Sequence, residues 1–142
     1  MVTGVARSRL DGLLSWRLSQ ASARAHRALH EHLARAGATG YEYRVLTALG
    51  DLGQVSQADV GRAAVLDRRD VTHTVRDLAE RGLVVRRHDP GDARRTLVAL
   101  TGSGRAMLDR LDDVLDDVQN EVFAPLTAVQ RRTLMGLLEQ LS

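Results

Sequence analysis

Between Leu10 and Ala36 the apolar residues Leu14, Leu18, Ala21, Ala25, Leu29 and Leu33 recur every three or four positions, with Arg and His between them. That spacing keeps one face of a helix apolar and predicts a long amphipathic helix. Gly37 to Gly40 breaks it, and Tyr41, Val45, Leu46 and Leu49 mark a shorter helix expected to stop at Gly50-Asp51-Leu52-Gly53.

Two matched helix-start signals follow. In Val55-Ser56-Gln57-Ala58-Asp59-Val60, Ser56 can cap the first-turn amides, Asp59 can reach back, and Val55 can staple onto Val60, so a helix should begin at Gln57. Eleven residues on, Asp67 can cap a second helix beginning at Arg68, with Asp70 at its third position and a Leu66 to Val71 staple. The first helix is then about two turns long, and a short turn around Ala64 to Leu66 joins it to the next, which is the layout of a helix-turn-helix. The second should span residues 68 to 81. Val71, Val75 and Leu78 line its inner face, and Gly82-Leu83 forms a left-handed end.

Leu83 to Arg87 and Thr96 to Leu100 are strand-like runs that predict a β-hairpin with a charged tip, His88 to Arg95. Thr101 to Asn120 returns to helical period. Leu108, Leu111, Leu115, Val118 and Val122 lie on one side, and Asp109, Asp112, Asp113, Asp116 and Asp117 largely on the other. Pro125 ends that helix, and Thr127 with Gln130 forms a capping box opening a last helix with Leu134, Leu137, Leu138 and Leu141. The expected fold is mainly α with a small β-hairpin wing. A winged helix-turn-helix over residues 37–100 is flanked by dimerisation helices at 1–36 and 101–142.

Charge changes the picture by its position. The net charge is only +2, but residues 62–95 hold nine Arg against six carboxylates, and residues 101–126 hold two Arg against six carboxylates. All twenty cations are Arg, which suits bidentate contact with phosphate or guanine, although the lack of Lys is more simply a mark of a high-GC genome. One Phe, two Tyr and one Trp are too few for a base-stacking platform, so duplex DNA is the expected partner rather than single strands. With no Cys, disulfides, thiolate metal sites and a thiol redox sensor are excluded. No apolar run is long enough to span a membrane and the start lacks the apolar core of a secretory signal, so a cytoplasmic location is expected.

Opposite the apolar face of the second helix stand Arg69, His73, Arg76, Asp77 and Glu80, flanked by Arg68 and Thr72. Its N-terminal half is rich in donors. Arg suits guanine O6 and N7, Thr a thymine methyl or a phosphate, and His can donate to either, as a recognition helix in a major groove requires. Arg94 and Arg95 at the hairpin tip can enter the adjacent minor groove, with Asp92 orienting Arg94 by an ion pair. Ser56 and Gln57, at the start of the first helix of the pair, complete the set expected to face DNA. The long helices at both ends carry more apolar length than a small winged lobe can cover, which points to a homodimer.

Leu66 to Arg87, LDRRDVTHTVRDLAERGLVVRR, followed by DPGDARRTLVALTGSG from Asp89 to Gly104, resembles the recognition helix and wing of the MarR (multiple antibiotic resistance regulator) family. Asp92-x-Arg94 followed by Leu100-Thr101 is the most specific part, and the helix order extends the resemblance along the chain. The resemblance implies a homodimer with interlocked end helices, recognition helices in successive major grooves of a pseudo-palindromic operator, and Arg94 of each wing in a minor groove. It implies a repressor released by a small aromatic or phenolic ligand held between the dimer helices and the DNA-binding lobe, a cleft that Trp16, Arg17, His26 and His30 could face. Ala93 departs from the family, where Arg is common.

Nothing assembles for an enzyme: there is no phosphate-binding glycine loop, no nucleophile elbow and no HExxH pair. Asp112 with Asp116 reads as a solvated acidic stripe rather than a catalytic pair. His26 and His30 stand at a spacing that can hold a metal, but with no Cys or clear carboxylate partner no metal and no cofactor is expected. The rival reading is a winged helix used for sequence-neutral DNA packaging or protein contact.

Overall fold

The structure, a computed structural model, describes residues 8–142; the first seven residues of the segment read above for a secretory signal lie outside the described residues. In chain order the elements are α1 (Leu14–Arg35), α2 (Gly40–Leu52), β1 (Val55–Ser56), α3 (Gln57–Ala64), α4 (Arg68–Glu80), β2 (Val84–Asp89), β3 (Asp92–Leu100), α5 (Gly102–Val122) and α6 (Ala128–Glu139). The fold is mainly α with a three-stranded antiparallel sheet in the order β1-β3-β2. Among the described residues no helix is long and apolar enough to cross a membrane.

The first helix starts later than its apolar pattern suggests. Ser8 caps a short 3-10 turn, Arg9–Gly12, and Leu13 is extended before α1 begins. Gly12 adds no helical preference to hold the two together. Along α1 only Leu33 is buried, while Leu14 and Leu18 are 89% and 47% exposed, so the N-terminal half of the apolar stripe faces outward from the protomer.

The second helix ends within its expected stop, at Leu52, although it runs through the first glycine of that segment. Gly50 lies within α2, and a Cβ there would come 2.7 Å from Leu108 Cδ2, so its glycine lets α5 approach rather than breaking the helix. Gly53, at φ +72°, ends it. The start of α2 carries a capping box that the sequence reading passed over: the Thr39 hydroxyl accepts from Glu42 N and the Glu42 carboxylate accepts from Thr39 N, both at 3.1 Å. Glu42 is buried and its other oxygen receives Arg81 at 2.6 Å, which gives the buried charge its partner.

The core lies under the helix pair. Val45, Leu46 and Leu49 of α2, Val60 of α3, Val75 and Leu78 of α4, Val98 of β3, Leu33 of α1 and Leu111 of α5 are all within 1% of complete burial. Each such side chain contributes roughly 1.5–3 kcal/mol through removal from water.

β1 was not anticipated. Val55 and Ser56 pair with Val98 and Leu97 of β3, which ties the base of the wing to the start of α3. Two residues are too short a run for a periodic signal, and the capping chemistry of Ser56 dominates that segment. The hairpin turn is also tighter than expected. Only Pro90 and Gly91 separate the strands, and Arg94 and Arg95 lie within β3 rather than at a loop tip. β2 and β3 run in register from Val84 opposite Leu100 to His88 opposite Thr96, with an irregularity before Asp89.

Two close approaches fix the arrangement. Arg44 of α2 donates from Nε to the Ala64 carbonyl at 2.7 Å and from a terminal nitrogen to the Val65 carbonyl at 2.5 Å, holding the turn between α3 and α4. Val65 is there in the left-handed region at φ 53°, a costly place for a β-branched residue. At the other end of α4, Gly82 is left-handed at φ +73°, and Gly104 of α5 sits so close that a Cβ would stand 1.9 Å from the Leu83 carbonyl oxygen.

Two stability predictions follow from these contacts. Gly104→Ala is expected to destabilise by about 3 kcal/mol, because backbone must move, whereas Gly50→Ala should stay within about 1 kcal/mol as the end of Leu108 shifts and helix propensity improves. Equal losses in chemical denaturation would refute that distinction. Arg44→Met leaves two turn carbonyls without their charged donor and should cost about 2 kcal/mol in the same measurement.

Candidate nucleic-acid interface

The starts of α3 and α4 are built by the caps expected for them. The Ser56 hydroxyl, buried, accepts from Asp59 N at 3.1 Å, and Asp67 Oδ1 accepts from Asp70 N at 2.8 Å. Asp59 does not complete a capping box with the Ser56 backbone N–H. Its carboxylate faces Arg62, with which it pairs, and Arg95, 3.6 Å away. The Ser56 hydroxyl, then Arg62, and more weakly Arg95 hold the Asp59 carboxyl below its usual range, so these pairs persist into mildly acid solution.

Between the two helix starts and β3 lies a cleft of about 680 Å³. Of the nine residues expected to face DNA, it brings together Ser56, Gln57, Arg68, Thr72, Arg94 and Arg95. Gln57 Nε2 donates to Thr72 Oγ1 at 3.0 Å and joins α3 to α4 in the cleft, while the Thr72 hydroxyl donates to the Arg68 carbonyl within α4 at 2.7 Å. Arg62 also lines the cleft, and the sequence reading missed it as a candidate. Its signal was its place one turn beyond Ala58 on the same short helix.

Arg69, His73 and Arg76 lie outside this cleft on the exposed face of α4, while Val71, Thr74, Val75 and Leu78 are buried. An Arg76 guanidinium nitrogen is 2.7 Å from His73 Nδ1, and Asp77 lies 3.5 Å from His73 Nε2 and 3.9 Å from Arg76 Nε. These three form a polar cluster one to two turns past the helix start. Arg68 and Arg69 have no carboxylate partner among the described residues, and neither has Arg94. The expected ion pair between Asp92 and Arg94 is absent, because Asp92 Oδ1 instead accepts the backbone N–H of Arg94 at 3.0 Å. That bond shapes the strand start and leaves the Arg94 guanidinium uncommitted.

The four residues considered for a ligand do not converge. His26 lines a groove of about 170 Å³ between α1 and α5 with Leu29, Val118 and Phe123. Trp16 and Arg17 lie roughly 15 Å further along α1, and Arg17 is turned to Asp11, donating to its carbonyl at 2.9 Å. His30 is exposed. Among the described residues no three metal-ligating side chains cluster.

Two contacts to α5, one from α1 and one from α2, also escaped the sequence reading. His32 Nε2 is 2.5 Å from Glu121 Oε2, and the Tyr43 hydroxyl donates to Asp112 at 3.0 Å. Burial, and then the neighbouring Asp112, raise the Tyr43 pKa, so its hydroxyl keeps its proton as donor. Asp112 is therefore bonded, not merely part of a solvated stripe. Both partners are far apart in sequence, and no local pattern pairs them.

Comparison with known proteins addresses the whole arrangement. The MarR family sequence model matches residues 36–95. The chain is 33% identical over 103 residues to the HTH-type transcriptional repressor NicR of Pseudomonas putida, covering 72% of this chain and 65% of NicR. It is 30% identical over 100 residues to the transcriptional regulator HosA of Escherichia coli, covering 70% and 74%. The matches to NicR and to a second regulator, YdgJ of Bacillus subtilis, thus span slightly less than two thirds of those proteins.

Among solved structures, a probable transcriptional regulator from Pseudomonas aeruginosa superposes with a TM-score of 0.84 at 33% identity, covering 94% of this chain and all of that one. BpsR of Bordetella bronchiseptica, whose DNA binding is regulated by 6-hydroxynicotinic acid, gives 0.81 at 28%, covering 89% and 96%. A variant of Escherichia coli MarR in complex with operator DNA gives 0.81 at 25%, covering 90% and 92%. With helix pair, wing and flanking helices all matched in order, the chain belongs to the MarR family of winged-helix transcription regulators.

Proposed function

We propose that the protein is a sequence-specific repressor that binds a pseudo-palindromic operator as a homodimer. The observation that carries this reading is the cleft in which Arg62, Arg68, Arg94 and Arg95 line the space between recognition helix and wing. A recognition helix in the major groove places Arg69, Thr72, His73 and Arg76 against base edges, while Gln57 and Arg68 meet the backbone and Arg94 enters the minor groove. Ser56 serves through its cap. The repressors among its relatives, and the operator complex of a structural neighbour at 25% identity, support the same reading.

The dimer is supported by unpartnered apolar surface at both ends. Leu14 and Leu18 of α1, Val129, Met135 and Leu137 of α6, and Leu141 just past its end are between 47% and 89% exposed. In the proposed dimer segments 1–36 and 101–142 form the interface, and residues 37–100 hold the DNA-binding lobe. A small aromatic anion is the proposed effector, by analogy with the BpsR regulator, and the α1–α5 groove beside His26 is the nearest recess for it. Trp16, Arg17 and His30 would then belong to the dimer surface.

Selection of bound fragments from the host genome tests the function directly. Enrichment of an inverted repeat is expected; uniform capture would instead support sequence-neutral packaging. On an enriched site, Arg94→Ala should weaken all sequences alike and make the slope of log affinity against log salt shallower by about 0.9. Thr72→Ala or Arg76→Ala should relax preference at particular bases by about 1–3 kcal/mol. Replacing Leu137 and Leu141 together by Glu should give monomers in sedimentation equilibrium, and a dimer surviving that pair would place the interface elsewhere.

A further inference from the structure

The arginines of the cleft are not equivalent. Arg94 and Arg68 have no carboxylate partner among the described residues, but Arg95 lies between two that come from different elements. One of its terminal nitrogens is 3.6 Å from Asp59 Oδ2 on α3, and the other is 3.7 Å from Asp89 Oδ2 on β2. Each carboxylate is itself held in place. Asp59 pairs with Arg62 through its other oxygen, and Asp89 Oδ1 accepts Gly91 N at 2.9 Å in the hairpin turn.

Resting on the DNA-binding reading above, we propose that Arg95 is a positioning residue: it braces the wing against α3 through Asp59 and Asp89 and leaves phosphate and groove contact to Arg94. The mechanical reason is the shortness of β1. Beyond its root at Leu83 and Thr101, the wing is joined to the helix pair by a sheet ladder of two residue pairs, Val55 with Val98 and Ser56 with Leu97. Such a ladder fixes a point but leaves the strand pair beyond it free to tilt. Arg95 is two residues further toward the tip than Leu97, and its bridge reaches back to α3 one turn past Ser56. Two attachments along the same strand define a direction, and with it the distance between Arg94 and the recognition face of α4.

Charge supports the same division. Asp59 and Asp89 offset the charges of Arg95 and Arg62, so an approaching phosphate meets no net positive charge there, while Arg94 presents an unshared one. The planar fork of Arg suits a bridge between two separated acids, which the single ammonium of Lys does not span. Arg95 is half exposed, so the brace is modest and screened by salt.

The test uses the full chain with Arg95→Ala, Arg95→Lys, Asp59→Asn and the Arg95→Ala/Asp59→Asn double variant. The probes are a duplex enriched by fragment selection and, where none is enriched, a random-sequence duplex. Each single variant should weaken binding roughly three- to fivefold with an unchanged salt slope, and the double variant should be no weaker than either parent. Because the chain has no Cys, a nitroxide on Pro90→Cys reports wing motion without DNA, and it should become more mobile in all four.

The brace is overturned if Arg95→Lys keeps full affinity while Arg95→Ala loses it with a slope shallower by about 0.9, which is phosphate contact. It is overturned as well if Asp59→Asn tightens binding, or if the label moves no faster in any variant. Failure to bind either duplex would remove the DNA-binding reading, and the label would still decide whether the brace exists.

Discussion

The Leu83 carbonyl accepts Thr101 N at 3.1 Å, and Gly104 leaves no room for a side chain above it. Around the same point Leu83 N donates to the Leu78 carbonyl at 3.0 Å, and the Thr101 hydroxyl donates to the Gly82 carbonyl at 2.7 Å. One backbone knot thus joins the end of α4, the root of β2, the end of β3 and the start of α5. A bond network of this kind has little freedom to stretch, since each member is fixed by backbone on both sides. The recognition helix therefore holds a set position relative to α5, and everything that depends on where α4 points depends on Gly104, well beyond the helix's last residue, Glu80.

The charges are distributed to match. Uncommitted arginines stand at the helix start and on the wing, and the carboxylates near them are either consumed as caps, as Asp67 is, or bound into bridges, as Asp59 and Asp89 are. The acidic run of α5 lies on another element, with Asp112 tied to Tyr43 and Glu121 to His32. Separating the signs in this way gives one face a positive field that steers a polyanion and keeps it from the wrong side. The sum of charges conceals this, because the positive excess of residues 62–95 and the negative excess of residues 101–126 nearly cancel within it.

Local chemistry was legible in the sequence and contacts across the chain were not. Ser56, Asp67 and Thr127 cap helices because a short polar side chain one residue before an apolar period is sufficient for the bond, and Gly82 is left-handed because a helix end requires it. Gly50 was misread for the same reason: a glycine in a helix that serves packing against Leu108 carries the same local signature as one that ends a helix. Arg62 and Arg95 were visible as charges, but which carboxylate each would meet depends on the fold bringing α3 beside the wing. The two-residue β1, the Arg44 bonds to the turn and the Tyr43 and His32 contacts have no periodic signature, since each joins residues separated by twenty to ninety positions or is too short to repeat.

These constraints bear on how a signal changes DNA binding. Arg44 holds the turn before α4, the Leu83 knot holds its end, and Gln57 joins its first turn to α3, so deforming the recognition helix would break several bonds at once. The apolar ends of the protomer are held far less: α6 exposes Val129, Met135 and Leu137, and the first turns of α1 expose Leu14. In the proposed dimer those surfaces set the separation of the two recognition helices. Two half-sites a helical turn apart discriminate sharply against a wrong spacing, because both helices must reach their grooves together. A ligand in the proposed site beside His26 meets α1 and the C-terminal turns of α5, Val118 to Phe123, roughly 20 Å along that helix from its knot with α4 at Gly104. On the reading proposed above, release from DNA is a rigid-body shift of intact lobes, and the proposed ligand acts by the difference in its affinity for the two spacings.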